Sequence, residues 1–368
     1  MIKKLCLLIV FIVVSKFLFC QSLDSTIIDT TITQFELSFK DSIILLNKQN
    51  EIYSSSRKAY NYGLDLYNNK RFDDATVFFT NAINIDSSFS EAFFYRGMCN
   101  EGYNDTLAIK DYYVAFSLDS TNFSSIYRVA SIQSKTDFNQ AIKTYDFIIS
   151  IKNDEPKAYY EIGVLSFLKD DIVKAIESFT HSIQLNKDPR TYNDRASCYR
   201  YLDKDKQAID DYLVAIDLNP DLAFIYNNLA STYRKVGDTA KALHYYNLAI
   251  DKDKNYLLAY NNRGSLYLDL NDFQKAVNDI NVALSLDDNY APAYNNKGVV
   301  FHKRKQYFEA LSNFDKAISL KNDYGKAYLN RGVTRQMIRD EDGACNDWQK
   351  AKDLGMDVAK QYLKSDCN

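Results

Sequence analysis

Small and large apolar residues return in one fixed order every 33 or 34 positions along most of the chain. Alanines stand at Ala75, Ala108, Ala141, Ala175, Ala208, Ala242, Ala276, Ala310 and Ala344. Four residues after each comes a large side chain: Phe79, Tyr112, Tyr145, Phe179, Tyr212, Tyr246, Ile280, Phe314 or Trp348. Three further on stands a mostly small one, from Ala82 and Ala115 to Ala317 and Ala351. About twelve residues before most of these alanines is another small residue: Gly63, Gly97, Gly163, Ala196, Ala230, Gly264, Gly298 or Gly332. Within one copy, Tyr226, Leu229, Ala230 and Tyr233 fall at i, i+3, i+4 and i+7, one face of a helix. Gly237 and Asp238 break that run, and Ala242, Tyr246 and Ala249 mark the face of a second. Each copy therefore predicts two antiparallel helices of about 14 residues, roughly 20 Å long. The small residues let the two backbones cross closely, and the aromatic fills the space beside them. A period of this length marks a solenoid, whose units bury their apolar faces only against neighbours.

The spacing resembles the tetratricopeptide repeat family, whose 34-residue unit carries small residues at its eighth, twentieth and twenty-seventh positions and an aromatic near the twenty-fourth. The resemblance covers residues 56–358. It implies an all-α fold, a right-handed α-solenoid superhelix of about nine helix pairs, closed by a capping helix over 359–368. Unit three departs from the pattern. Val129, or Ala130 in a shifted register, takes the small position, so less regular packing is expected there. All four prolines, Pro156, Pro189, Pro220 and Pro292, fall in connections or first turns, where a missing N–H does little harm. A length of 368 residues would suggest two or three globular domains. With no Pro/Gly/Ser-rich linker inside the array, one continuous stack is expected instead.

The ends differ from the array. Residues 1–20 hold Lys3 and Lys4, an apolar run from Leu5 to Val14, then Ser15 and Lys16, the layout of a secretory signal peptide. Export to the periplasm, cell envelope or exterior is the expectation. Phe19 is bulky for the residue preceding a lipidated Cys20, so lipid anchoring ranks below simple export. Removing the leader takes away three lysines and no acids, moving the net charge from −3 to −6. That mild acidity argues against nucleic-acid binding, which wants a basic stripe. Residues 21–55 read as a leader of two alternative kinds. Apolar clusters at Phe35, Leu37, Phe39 and Ile43 to Leu46 suggest a helix capping the first repeat, whereas the Ser/Thr-rich start suggests disorder.

Chemistry is sparse. Phosphate-cradling, dinucleotide and zinc-protease motifs are missing, and His181, His244 and His302 stand isolated on different units. No metal-ligand spacing occurs, and no cofactor, small-molecule substrate or catalytic residue is expected. Cys99 and Cys198 read as buried filler, whereas Cys345 and Cys367 would lie side by side in a hairpin turning at Gly355, a candidate disulfide in an exported protein. Its 22-residue loop would give about 3 kcal/mol in the loop-entropy model.

Two recurring polar positions remain. Asn228, Asn262, Asn296 and Asn330 stand 34 residues apart with Asp194 extending the row, and Asn227, Asn261 and Asn295 precede three of them. In related arrays this position faces the concave groove and holds the ligand's main chain, so these five residues are the candidate peptide-binding row; the competing reading is that Asn serves the fold. Arg96, Arg195, Arg263 and Arg331 precede the small residue of their first helix, and Asp111, Asp211, Asp279 and Asp347 follow 15 or 16 residues on. Units lacking the arginine lack the acid at that place, which predicts an intra-unit ion pair. Arg128, with Thr144, is the exception.

The function expected from this is a non-enzymatic scaffold binding a protein or peptide in its groove outside the cytoplasm. The alternative is a structural subunit of a cell-envelope assembly. Peripheral membrane association stays open.

Overall fold

The computed structural model describes residues 25–367. The leader predicted over residues 1–20 lies outside them. The chain divides into two compact units at 144/145. Each is built wholly of helices among its described residues, and each is described by itself.

The first unit opens with one long helix, α1 (Ser25–Asn68), followed by α2 (Phe72–Ile85), α3 (Ser90–Asn100), α4 (Asp105–Leu118) and α5 (Phe123–Gln133); α6 (Phe138–Ile151) begins at its end. Between Ser25 and Tyr62 the sequence has neither Gly nor Pro, so nothing interrupts α1. Only its last turns join a repeat. Tyr60 is buried there against Phe79 and Phe89, with ring centroids 5.8 and 4.9 Å apart. The apolar residues at 37–46 cap nothing; every residue from 36 to 55 is exposed. At the third repeat Val129 and Ala130 are both fully buried, so both residues of the ambiguous register serve the core.

The second unit holds α7 (Pro156–Leu168), α8 (Ile172–Leu185), α9 (Pro189–Tyr201), α10 (Asp205–Leu218), α11 (Ala223–Lys235) and α12 (Thr239–Lys252). It continues with α13 (Leu257–Asp269), α14 (Phe273–Leu286), α15 (Ala291–Lys303), α16 (Tyr307–Leu320), α17 (Gly325–Met337) and α18 (Glu341–Asp353), and closes with α19 (Ala359–Asp366). Odd-numbered helices from α7 to α17 are the first members of their pairs. Pro156 and Pro189 open α7 and α9, where their fixed φ suits the first turn.

Local chemistry sets the boundaries. Asp171, Asp238, Asp272 and Asp340 cap second helices, each side chain accepting from the backbone N–H three residues on. The turn before them needs one left-handed residue. Gly237 supplies it at φ 83°, whereas Asp203, Asn271, Lys305 and Arg339 hold positive φ with a Cβ.

In the core, Ala175, Ala208, Ala242, Ala276 and Ala310 are wholly buried, as are Tyr212, Ile280, Phe314 and Trp348. Where the facing core side chain is Phe, the small residue is a glycine with its face against the ring. A Cβ added to Gly163 would stand 2.6 Å from the Phe179 ring, and one added to Gly298 2.6 Å from Phe314. Successive first helices from α9 to α17 also touch one another, while second helices pack on the first helices beside them. The closer spacing on the first-helix side makes it the inner side of this unit's curve. Its far end is sealed by α19, where Tyr362 stacks on Trp348 at 4.9 Å and Ala359 is fully buried. Cys345 and Cys367 are joined in a disulfide with Cα atoms 5.7 Å apart, tying α19 to α18.

Candidate functional site

The asparagine row lies on the first helices of the second unit, half-exposed at Asn228, Asn262, Asn296 and Asn330. Beside it runs a second, buried row of Asn193, Asn227, Asn261 and Asn295. The two rows are laced together across repeats. Asn228 Nδ2 donates to Asn193 Oδ1 at 3.0 Å, and Asn262 Nδ2 to Asn227 Oδ1 at 3.0 Å. Asn296 donates to Asn261 and Asn330 to Asn295, both at 2.9 Å. Each buried amide then leans back on its half-exposed neighbour, at 3.4 Å for Asn227, Asn261 and Asn295. The ladder satisfies buried amides that would otherwise cost about 1–3 kcal/mol each.

This arrangement also fixes the half-exposed carboxamides. Each has given one N–H to the preceding repeat, so one N–H and spare acceptor capacity remain. The orientation of those remaining groups is set by the buried row before any ligand arrives. Fold service and ligand service, alternatives in the sequence, are compatible in the same side chain. What the sequence reading missed is the buried row's role. The pairing runs between residues 35 apart, which requires knowing how adjacent first helices stand side by side.

At its N-terminal end the row turns acidic. Asp194 accepts from the Tyr160 hydroxyl at 2.9 Å and from Asn193 Nδ2 at 3.0 Å. Burial holds its carboxyl above the ordinary carboxylate range; these two hydrogen bonds pull the other way, and Asp188 adds to the rise. Glu161 occupies the corresponding place one repeat earlier, and burial raises its carboxyl too, against the Lys157 charge. A cavity of about 380 Å³ opens here, lined by Lys157, Tyr160, Glu161, Asp188 and Arg190 among others.

Asp194 therefore supports a signed prediction. A carboxyl whose folded pKa lies above its unfolded value binds its proton more tightly in the fold, so stability falls as pH rises from the ordinary Asp value through the raised one. In Asp194→Asn the new amide can donate to Tyr160 and accept from Asn193, as the other ladder asparagines do. Melting should occur at a higher temperature than in wild type at pH 7, and the gap should close as pH approaches 3. Equal melting at pH 7 would contradict the assignment.

The arginines are structural in all four matched units. Arg96, Arg195, Arg263 and Arg331 each grip their Asp with two bonds of 2.6–2.9 Å. The acids are nearly buried, their side chains 2–10% exposed. Each guanidinium also reaches back to the preceding repeat's second helix through Nη1. Its acceptors there are Thr80, Thr180, Asn247 and Asp315, at 2.6–3.3 Å. One arginine thus ties three helices together. A signal for this third partner was present: the residue after the large core side chain is polar in every unit that precedes one of these four arginines. Arg128, lacking an Asp partner, bonds Glu101 at 2.7 Å, which also accepts from the Tyr112 hydroxyl at 2.8 Å.

Other candidates are structural as well. His302 Nδ1 lies 2.9 Å from the Thr334 hydroxyl, and burial, helped by Lys303, lowers its pKa. Cys198 is fully buried with its thiol pushed up to about 12, and burial pushes Cys99 up to about 11, so both are poor nucleophiles. Among the described residues no group of three His, Cys, Asp or Glu side chains could hold a metal. No described helix is long and apolar enough to cross a membrane.

Models of the tetratricopeptide repeat match residues 189–222, 211–244, 257–290 and 291–324. No curated protein matches the chain. Among solved structures, the chain is similar to the APC/C hetero-tetramer Cut9–Hcn1, at 14% identity and a TM-score of 0.57, over 85% of this chain and 76% of that one. It is similar also to a tetratricopeptide repeat protein from Parabacteroides merdae, at 16% identity and a TM-score of 0.57, over 66% of this chain and 99% of that one. At such identities the likeness concerns the fold alone. The paired helices, the recurring buried small and large residues and the repeat matches agree: residues 189–244 and 257–324 are tetratricopeptide repeats.

Proposed function

We propose that the chain is a non-enzymatic scaffold holding an extended protein or peptide segment along the first-helix side of its second unit. The observation that carries this reading is the half-exposed asparagine row, whose carboxamides are pre-oriented by a buried one. An amide that both donates and accepts at repeat intervals suits a main chain better than any particular side chain. Specificity would come from neighbouring side chains on the same helices, such as Leu258, exposed one turn before Asn262, and from the acidic end at Glu161. Action outside the cytoplasm is part of the proposal. It is supported by the signal-like layout of residues 1–20 and by the Cys345–Cys367 disulfide, a bond that persists in oxidising compartments.

The test must respect the ladder. Replacing Asn228, Asn262 and Asn296 together by Ala strands the carbonyls of Asn193, Asn227 and Asn261, so that variant loses stability as well as binding. Leu258→Arg touches no ladder bond. Peptides selected from a displayed random library on the wild-type chain should bind Leu258→Arg at least about tenfold more weakly, a loss of roughly 1.4 kcal/mol, with an unchanged melting temperature. Selected peptides that bind both forms equally would remove the first-helix side as the site.

A further inference from the structure

The asparagine ladder of the second unit has a direction, and one residue sets it. Read from α17 back to α9, every step is a donation towards the N-terminal end. Asn330 donates to Asn295, Asn295 to Asn296, Asn296 to Asn261 and Asn261 to Asn262. Asn262 then donates to Asn227, Asn227 to Asn228, Asn228 to Asn193, and Asn193 to Asp194. A chain made only of carboxamides could run either way. Turning every amide over exchanges its N–H and C=O groups and leaves the same bonds. At the α17 end the row closes on Leu329, which stands where the next buried asparagine would be and offers neither donor nor acceptor. At the α9 end stands a carboxylate. Asp194 accepts from Tyr160 through one oxygen and from Asn193 through the other, and as a carboxylate it has no proton to give. Reversal would turn Asn193 Oδ1 onto an Asp194 oxygen, acceptor against acceptor. Only one of the two directions is open.

That direction matters at the exposed edge. Each half-exposed asparagine turns its nitrogen to the preceding repeat, so its free N–H lies on that side and its carbonyl on the other. Turning the ladder over would exchange donor and acceptor at every repeat together. An extended main chain presents its own N–H and C=O groups in an order that depends on which way it runs. One ladder direction therefore suits one chain direction.

We propose that Asp194 is the positioning residue of the whole row: it fixes which way every carboxamide from Asn193 to Asn330 points, and so makes the groove accept a main chain in one direction only. The ligand half of this rests on the peptide-binding reading above; the ladder half does not.

Moving the carboxylate tests it. In Asp194→Asn both directions become available. Side-chain amide spectra of the free chain should then show Asn262, Asn296 and Asn330 doubled or exchange-broadened, although they stand two to four repeats away. Asn330→Asp sets an acceptor-only group against the Asn295 carbonyl and should lower the melting temperature. The same change made in Asp194→Asn should cost far less, because the ladder then reverses as a unit; sites this far apart are otherwise additive. For the ligand half, a peptide selected on the wild-type chain is compared with its retro-inverso form, which keeps the side-chain placement and reverses the main-chain amides. Wild type should prefer the parent by at least about tenfold, and Asp194→Asn should hold the two forms within about threefold. Single, unmoved remote resonances in Asp194→Asn, or additive melting shifts, would overturn the proposal. Equal binding of both peptide forms by wild type, with the row carboxamides shifting, would overturn its ligand half alone. A peptide that saturates with the row unmoved would instead remove the peptide-binding reading and the ligand half with it.

Discussion

Asp279→Ala should destabilise the second unit by about 3 kcal/mol, the lower end of what removing one partner of a buried ion pair costs. The acid's side chain is 9% exposed and accepts two 2.8 Å bonds from Arg263, whose own side chain is 18% exposed. Deleting it leaves a guanidinium largely out of water, with Asn247 as its remaining side-chain hydrogen-bond acceptor and the Tyr260 ring beside it. The lower end applies because Asn247 and partial exposure cushion the loss. The double variant Arg263→Leu/Asp279→Leu should recover much of the stability, since no charge is then left unpaired. Denaturant unfolding with hydrogen exchange read repeat by repeat distinguishes these outcomes. The loss should concentrate in α12 to α14, the three helices that the arginine joins. A single variant within 1 kcal/mol of wild type would show that the pair is dispensable.

The second large effect concerns the aromatic plug. Phe314 is fully buried beneath Gly298, between Ala310 and Ala317. Truncation to Ala should cost about 3–5 kcal/mol, because the helices cannot collapse into the space without losing their contacts to both neighbours. Filling from the other side is also unfavourable. In Gly298→Ala the new Cβ would sit 2.6–2.9 Å from three ring carbons, an overpacking worth about 1–3 kcal/mol. Gly264→Ala should be milder. Its plug is Ile280, and the nearest heavy atom would be 3.2 Å away. Thermal melts of the three variants should rank Phe314→Ala lowest, then Gly298→Ala, then Gly264→Ala. Reversal of the two glycine variants would mean that the ring moves aside freely.

How much of this could be read from the residues alone depends on the range of the interaction. Helix pairs, small crossings and aromatic plugs lie within one 34-residue copy and recur, so the chain displays them many times over. The Arg–Asp pairs were legible for the same reason: both residues sit in one unit and come and go together. The third partner of each arginine, and the buried asparagines that orient the exposed ones, belong to adjacent copies. A polar residue does follow the large core side chain in each unit before one of those arginines, but which side chains meet depends on the lateral offset between neighbouring helices, which the pattern within one copy does not fix. Helix α1 was ambiguous for a different cause. Its Ser/Thr-rich start and its apolar centre favour opposite readings, and the absence of Gly or Pro lets the helix run on from Tyr60. Exposure of its apolar side chains could not be foreseen, because an apolar stretch of helix looks alike in sequence whether or not anything covers it.

The most direct measurement is a titration of the isotope-labelled chain with a library-selected peptide, followed through side-chain amide resonances. The account predicts that the carboxamides of Asn228, Asn262, Asn296 and Asn330 shift together and saturate with the peptide, while those of the buried Asn227, Asn261 and Asn295 respond weakly. Saturation with all four carboxamides unmoved, and shifts gathered on the second helices instead, would contradict it.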